Sequence, residues 1–140
     1  MPMPERDLND AEYERLLEFR TGLRRFLHWS EQQAASVGIS PAQHQLLLAI
    51  RGHAGVEAPT ISEVAEALLL KHHSAVGLVD RAVEASLVTR EYDARDHRVV
   101  RLRITPTGAR RLRQLSHAHL EQLRRIAPSM RSLWSDLATA

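Results

Sequence analysis

Apolar side chains recur at helical spacing near the start of the chain. Between residues 10 and 37 they follow one another at intervals of three and four, which is typical of an amphipathic helix. These positions are Tyr13, Leu16, Leu17, Leu23, Phe26, Leu27 and Ala34. Gly38 is suited to end the helix, because glycine readily adopts the left-handed conformation found at helix C-termini. The pattern therefore predicts a long first helix over residues 10 to 37.

A second helix is predicted to begin just after Ser40. Ser40 and Gln43 have the spacing of a capping box, and Pro41 stands between them at the first helical position, where proline is favoured. The buried stripe of this helix is expected at Leu46, Leu47 and Ile50. The glycine- and proline-bearing segment from residue 52 to 59 is then predicted to be a loop.

Two more helices are predicted after this loop. Thr60 and Glu63 form a second capping box ahead of a short helix, with Ser62 as the alternative cap, in which case Thr60 begins a short strand. The next helix is predicted from about Lys71 to Ala85. Its inward side is expected at Ala75, Leu78, Val79, Ala82 and Val83.

The hydrophobic pattern then changes from helical spacing to alternation. Residues 87–92 predict one strand, and residues 99–105 predict its antiparallel partner, with polar residues between them. In the second strand the apolar face is Val100, Leu102 and Ile104. Thr105 is expected to cap a helix whose first residue is Pro106.

The C-terminal segment repeats the helical pattern. Pro128 is expected to interrupt this segment, because proline removes a helical hydrogen bond, and to divide it into a long helix and a last helix. The apolar stripe consists of Leu112, Leu115, Leu123, Ile126, Met130, Leu133, Trp134 and Leu137. Such a stripe suits either a dimer interface or a helix packed on its own domain, so the pattern alone leaves both open.

Charge is concentrated in the middle of the chain. The 140 residues, 44% of them hydrophobic, are enough for one domain, and the net charge is only +2. Residues 60–113 carry ten basic and seven acidic side chains, and between Arg95 and Arg113 there are seven arginines against one acid, Asp96. A cationic hairpin beside a helix indicates a polyanionic partner.

Several function classes are not expected. The chain has no cysteine, which excludes thiolate catalysis, disulfides and thiol-based redox sensing. It has neither a phosphate-binding glycine loop nor a GxSxG elbow, so we do not expect an enzyme. His72 and His73 are adjacent, and His117 and His119 are two apart, so neither pair shares a helix face and we expect no metal or cofactor. Without a secretion signal or a long apolar run, we expect a cytoplasmic protein with no membrane segment.

The order of elements is the layout of a winged helix-turn-helix, and five short motifs resemble the MarR-type transcriptional regulators in order and spacing. The motifs are residues 61–68 (ISEVAEAL), 78–81 (LVDR), 87–90 (LVTR), 96–98 (DHR) and 102–108 (LRITPTG). The resemblance implies a mostly α fold with a small β-hairpin, in a single domain over residues 1–140. Residues 40–107 would form the winged DNA-binding region, and residues 10–38 and 108–140 the dimerisation helices.

Three positions depart from the family pattern. The helix predicted from about Lys71 to Ala85 corresponds to the family's recognition helix, and Ser86 stands where a glycine usually follows it. A left-handed residue that ends the helix there would cost more free energy as serine than as glycine. Gly77 lies inside that helix, where it should weaken the helix by about 1 kcal/mol relative to alanine. His97 replaces the usual middle arginine of the wing. These departures affect the details of base reading.

The resemblance also implies the function and its residues. A homodimeric repressor would bind double-stranded DNA at an inverted-repeat operator, with one helix in the major groove and the hairpin reaching the minor groove. Arg98 would enter the minor groove with Asp96 orienting it, although the two could instead be a surface ion pair. Arg90, Arg95, Arg101 and Arg103 are expected to touch phosphates or solvent. On the helix predicted from about Lys71, the residues expected to contact DNA are Lys71, His72, His73, Ser74, Gly77 and Arg81. Alternatively, His72 and His73 only form a solvated helix start.

A small-molecule effector is the remaining hypothesis. Arg24, His28, Trp29 and His44 could line a pocket in which arginine holds an anion and tryptophan stacks on an aromatic ring. Alternatively Trp29 is a core residue and the two histidines are hydrogen-bonded in the interior. The alternative function for the whole chain is a winged-helix protein-interaction module, which would not bind duplex DNA in a salt-dependent way.

Overall fold

The computed structural model describes residues 1–2 and 4–139, and it is mostly helical with one β-hairpin, as predicted. Apart from the expected division of the C-terminal helix, the elements follow the predicted order, and their boundaries lie within about two residues of those read from the sequence. They are α1 (Asp10–Ser36), α2 (Pro41–Arg51), α3 (Ile61–Ala67), α4 (His72–Glu84), β1 (Val88–Tyr92), β2 (Val100–Ile104) and α5 (Pro106–Thr139). None of the helices in the described part of the chain has the length and hydropathy needed to cross a membrane.

Both predicted capping boxes are present. The Ser40 hydroxyl accepts from the Gln43 amide at 3.1 Å, and the Gln43 side chain accepts from the Ser40 amide at 3.0 Å. Thr60 and Glu63 make the same pair of bonds, each 3.1 Å long. Thr60 is therefore the cap of α3, and the alternative cap at Ser62 is wrong.

The predicted break at Pro128 is also wrong, because α5 continues through this proline to Thr139. Proline removes one backbone donor and crowds one carbonyl, which tertiary packing can offset. The stripe stays in phase beyond it: the Met130 sulfur lies 3.4 Å from where a Cβ on Gly22 would stand. Farther along, the Trp134 ring lies 5.8 Å from the ring of Phe19.

The chain divides into two compact units. The terminal unit consists of Met1–Ser30 and His119–Ala140, and the central unit is Glu31–Ala118. The central unit contains the predicted winged-helix region together with the adjoining ends of α1 and α5. Its largest fully buried side chains are Leu46, Leu47, Val64, Val79, Val88, Leu102 and Leu115.

The two strands of the hairpin in the central unit pair antiparallel, as predicted. Val88 pairs with Ile104 at its base and Tyr92 pairs with Val100 near its tip. A third segment joins it, because Thr60 forms an isolated antiparallel bridge with Arg101. The two-stranded sheet is thus tied to the residue that begins α3.

Candidate DNA-binding interface

The helix α4 separates a buried face from an exposed N-terminal turn. Of the five residues predicted to face inward, Ala75, Leu78, Val79 and Ala82 are at most 4% exposed, and Val83 is half-buried against the same core. The residues at its N-terminal end, Lys71, His72, His73 and Ser74, are all exposed. In the described residues no side chain caps this helix at Lys71, so its first amides remain available to an anion such as a phosphate.

Farther along α4, Gly77 and Arg81 continue the outward face. Arg81 is exposed and Gly77 is half-buried. A Cβ at Gly77 would meet the Arg81 guanidinium at 3.4 Å, which is ordinary contact. The fold therefore has room for a side chain at this position, and glycine leaves the outer surface of α4 open.

The turn between α3 and α4 contains a feature that the sequence did not reveal. Leu69 has φ of +55° and is 93% exposed. Its left-handed conformation ends α3, because it lets the Leu70 amide donate back to the Ala65 carbonyl at 2.8 Å. Leucine in this conformation is strained, and the run of three leucines indicates continued helix rather than a turn.

The end of α4 confirms the expectation for Ser86. This residue follows the helix with φ of +61°, which is the left-handed conformation that glycine adopts without cost. The Ser86 carbonyl accepts from the Thr105 hydroxyl at 2.6 Å. Serine is thus held at the base of the hairpin in a conformation that glycine would favour.

Asp93 organises the tip of the hairpin, which is the wing. One of its carboxylate oxygens accepts from the amides of Arg95 at 2.8 Å and Asp96 at 3.1 Å. The other oxygen accepts from the Arg101 guanidinium at 2.8 Å. The Arg101 bond, followed by the two amides, lowers the pKa of the Asp93 carboxyl to about 2. Asp93 is consequently ionised at any physiological pH.

The predicted orientation of Arg98 by Asp96 is present at the wing tip. The guanidinium donates to both carboxylate oxygens, at 3.0 and 3.1 Å, and the Arg98 amide donates to the first of them at 3.0 Å. The bonds from the Arg98 side chain and amide lower the pKa of the Asp96 carboxyl. The Arg98 side chain is nevertheless 91% exposed. It is therefore both oriented and accessible.

The other wing arginines differ among themselves. Arg95 is exposed, in keeping with a phosphate contact. Arg90 pairs with Asp80 of α4, and Arg103 pairs with Glu91 across the hairpin. Arg101 departs from the expectation that it touches phosphates or solvent, because its side chain is only 20% exposed and is bound by protein acceptors.

The four candidate effector residues are divided between the two units. In the terminal unit Arg24 and His28 are exposed, and the Trp29 ring lies 4.8 Å from the ring of His119. His44 lies in the central unit and is 7% exposed. Burial of His44 agrees with the alternative of an interior histidine, whereas the exposure of His28 does not.

The terminal unit also contains an apolar cleft that we did not expect. It has a volume of about 510 Å³ between the side chains of α1 and α5 in this unit. Its lining is Gly22, Leu23, Phe26, Leu123, Ile126, Ala127, Met130, Arg131 and Trp134. The sequence places these residues on apolar stripes, but a stripe does not show where facing side chains leave a gap.

Known proteins similar to this chain share its winged-helix segment. Residues 37–99 match the model of the MarR family. The chain is 30% identical over 71 residues to the HTH-type transcriptional repressor MdtR of Bacillus subtilis (strain 168), a match that covers 51% of this chain and 44% of MdtR. The matched segment thus spans less than half of that repressor.

Solved structures extend the similarity over nearly the whole chain. The transcriptional repressor CouR, solved bound to a 23-mer DNA duplex, has a TM-score of 0.69 at 24% identity, covering 96% of this chain and 98% of CouR. MepR, a transcription regulator of the Staphylococcus aureus multidrug efflux pump MepA, has a TM-score of 0.73 at 15% identity, covering 94% and 96%. At these identities the similarity establishes the fold.

Residues 37–99 thus resemble the MarR family in sequence, and the chain has the fold of solved MarR family regulators. The match to the MarR family model ends at residue 99. It includes α4 and the Asp96–Arg98 pair, whereas the whole of β2, with Arg101, lies beyond it. The MarR resemblance read from the sequence is confirmed, and the residues that would contact DNA in this chain remain a prediction.

Proposed function

We propose that this protein is a cytoplasmic, homodimeric, sequence-specific DNA-binding regulator that represses transcription at an inverted-repeat operator. The observation that carries the proposal is the Asp96–Arg98 pair. A guanidinium held bidentately on its own wing and 91% exposed is prearranged to enter a narrow, negatively charged groove. The DNA duplex bound by CouR, a protein of the same fold, supports this interpretation.

The exposed N-terminal turn of α4 would read the major groove. That groove is about 12 Å wide and admits a helix, whose N-terminal residues contact base edges. Lys71, His72, His73 and Ser74 supply donors and acceptors there. The outward-facing Gly77 would allow close approach, and Arg81 follows farther along the helix.

The remaining cations would fix the position of the protein without reading sequence. Arg95 is exposed beside the wing tip, where it would contact phosphate. Arg90 would do so only after leaving Asp80, its partner in the free protein. The uncapped amides at the start of α4 would add a phosphate contact.

Dimerisation would use the terminal unit. Leu17, Leu27 and Trp134 are 62%, 54% and 63% exposed there, and large exposed apolar side chains are what a dimer interface would cover. A two-fold dimer would present two α4 helices to half-sites about one DNA turn, roughly 34–36 Å, apart. Binding would repress by occupying promoter DNA.

Release by a small aromatic or anionic molecule is a further part of the proposal. Arg24, His28, Trp29 and His44 remain the candidate contacts. A ligand that binds one spacing of the two α4 helices more tightly than another would shift the dimer towards that spacing. Thiol oxidation is not the signal, because the chain contains no cysteine.

The test is selection of bound duplexes from fragmented genomic DNA, followed by titration of the selected duplex at several salt concentrations. We expect an inverted repeat and an affinity that falls linearly on logarithmic axes as salt rises. Failure to enrich any sequence, together with no salt-dependent binding, would favour the alternative of a winged-helix protein-interaction module. Compounds that displace the selected duplex would then identify an effector.

A further inference from the structure

Each nitrogen of the Arg101 guanidinium lies against a protein acceptor. Its Nε donates to Asp93 at 2.8 Å, and one terminal nitrogen donates to the Ala58 carbonyl at 2.8 Å. The other terminal nitrogen lies 2.6 Å from a Glu57 carboxylate oxygen. Its neighbour Arg103, two residues along the same strand, is 56% exposed, against 20% for Arg101. Arg101 and Arg103 lie on the same face of β2, and Arg101 is the one that the loop between α2 and α3 covers.

These acceptors come from two separate segments. Asp93 begins the wing turn, whereas Glu57 and Ala58 belong to the loop between α2 and α3. The backbone joins the same segments, since the Leu102 amide donates to the Pro59 carbonyl at 2.9 Å and Thr60 bridges Arg101. The loop therefore acts as a partial third strand beside β2.

A continuous set of contacts leads from Arg101 to the wing tip. Arg101 holds one oxygen of Asp93, and the other oxygen holds the amides of Arg95 and Asp96. Asp96 in turn holds the guanidinium and amide of Arg98. An isolated two-stranded hairpin is marginally stable in water, so an anchor at its side decides how well its tip is ordered.

We propose that Arg101 is a positioning residue of the wing: through Asp93 it fixes the tip turn that carries Arg98 against the α2–α3 loop, and it does not contact phosphate. A phosphate would have to compete with three charge-assisted partners that already hold this side chain. The consequence for DNA rests on the proposed function, whereas the effect on wing order does not.

The first experiment uses the free protein. Backbone order parameters of residues 95–98 would be measured by NMR in Arg101→Gln and in Arg103→Gln, which removes the same charge from the same strand. We expect values to fall from about 0.85 towards 0.6 in Arg101→Gln and to stay at the wild-type level in Arg103→Gln. Wild-type order in both variants, with spectra showing an intact fold, would overturn the proposal.

The second experiment measures DNA binding by Asp93→Asn. Removing a negative charge from a DNA-facing hairpin would tighten binding if only net charge mattered. Positioning predicts the opposite sign: affinity for the selected operator falls roughly 5- to 100-fold, the loss expected for one specific contact, while affinity for unrelated duplex does not fall. Tighter binding to both duplexes would contradict the proposal.

The charge-conserving variant Arg101→Lys separates positioning from phosphate contact. Lysine restores a point charge but not the planar fork that reaches three acceptors. We expect Arg101→Lys to keep the operator defect. If lysine instead restores affinity, and Arg101→Gln weakens all duplexes equally and reduces the salt slope by about 1, Arg101 is a phosphate contact. Absence of binding by the wild type would refute the proposed function, and the order parameters would still decide the role of Arg101.

Discussion

The central and terminal units use their apolar side chains in opposite ways. In the central unit seven large side chains are less than 2% exposed and belong to a single core. None of the described residues of the terminal unit is fully buried, and Leu17 is 62% exposed. The central unit therefore carries its own stabilising core, whereas the terminal unit leaves its apolar side chains partly exposed, which is the surface that the proposed dimer would cover.

Core truncation should give the largest contrast between the units. Leu47→Ala removes a fully buried side chain and should lower the free energy of unfolding by about 2–5 kcal/mol. Leu17→Ala, at low protein concentration, should cost about 0.5 kcal/mol or less. Urea denaturation measures both values. Equal losses would remove the distinction between a self-sufficient unit and a dependent one.

A charge on the terminal unit should weaken self-association. We expect Leu17→Glu to raise the dimer dissociation constant about 10- to 100-fold, because a carboxylate would be desolvated in the interface. Leu48→Glu, at a position of the central unit that is 53% exposed, serves as the matched control. Sedimentation equilibrium measures both. A monomeric wild type at high concentration would contradict this use of the terminal unit.

A smaller effect is expected at the left-handed residue that follows α4. Ser86→Gly should stabilise the central unit by about 1 kcal/mol, because glycine accepts positive φ without steric strain. Ser62→Gly, a substitution within the helix α3, should have the opposite effect and lower the free energy of unfolding by up to about 1 kcal/mol. Thermal unfolding of both variants measures the difference, and a destabilised Ser86→Gly would show that serine is not strained.

The smallest expected effect is a loss of local stability in acid, which depends on one carboxyl group in each unit, Asp93 in the central unit and Glu12 in the terminal unit. The Arg101 bond lowers the pKa of Asp93 to about 2, and in the terminal unit the Arg6 bond, followed by the Asn9 amide, lowers that of Glu12 to about 2. Because both values are depressed in the folded state, their stabilisation is complete above about pH 5 and is lost as pH falls towards 2. NMR titration of the two carboxyls checks this, and a midpoint near 4 for either would show that its contacts are absent in solution.

The elements of the central unit could be predicted because its sequence signals are local. The capping boxes at Ser40 and Thr60 place helix starts, and alternation along β2 sets which residues face the core. The Asp96–Arg98 pair also spans only two residues. Signals of this kind depend on only a few neighbouring residues, so they can be interpreted from the sequence without knowledge of tertiary contacts.

The misplaced features depend on contacts between distant residues. Pro128 marks a break by local rules, yet α5 continues through it, and Met130 beyond it lies beside Gly22 of α1. Arg101 alternates outward from the apolar side chains of β2, and only the approach of residues 57 and 58 makes it a partly buried anchor. Leu69 is left-handed because the α3–α4 turn requires it, and no residue preference marks that position.

The most direct test of the account is the salt dependence of operator binding by Arg98→Ala. Fluorescence anisotropy would compare it with the wild type and with Arg20→Ala, which removes an exposed arginine from α1 of the terminal unit. We predict that Arg98→Ala weakens operator binding by about 1–3 kcal/mol. It should also reduce the slope of log affinity against log salt concentration by about 1, whereas Arg20→Ala should change neither quantity. Wild-type affinity and slope in Arg98→Ala would contradict a DNA-reading wing.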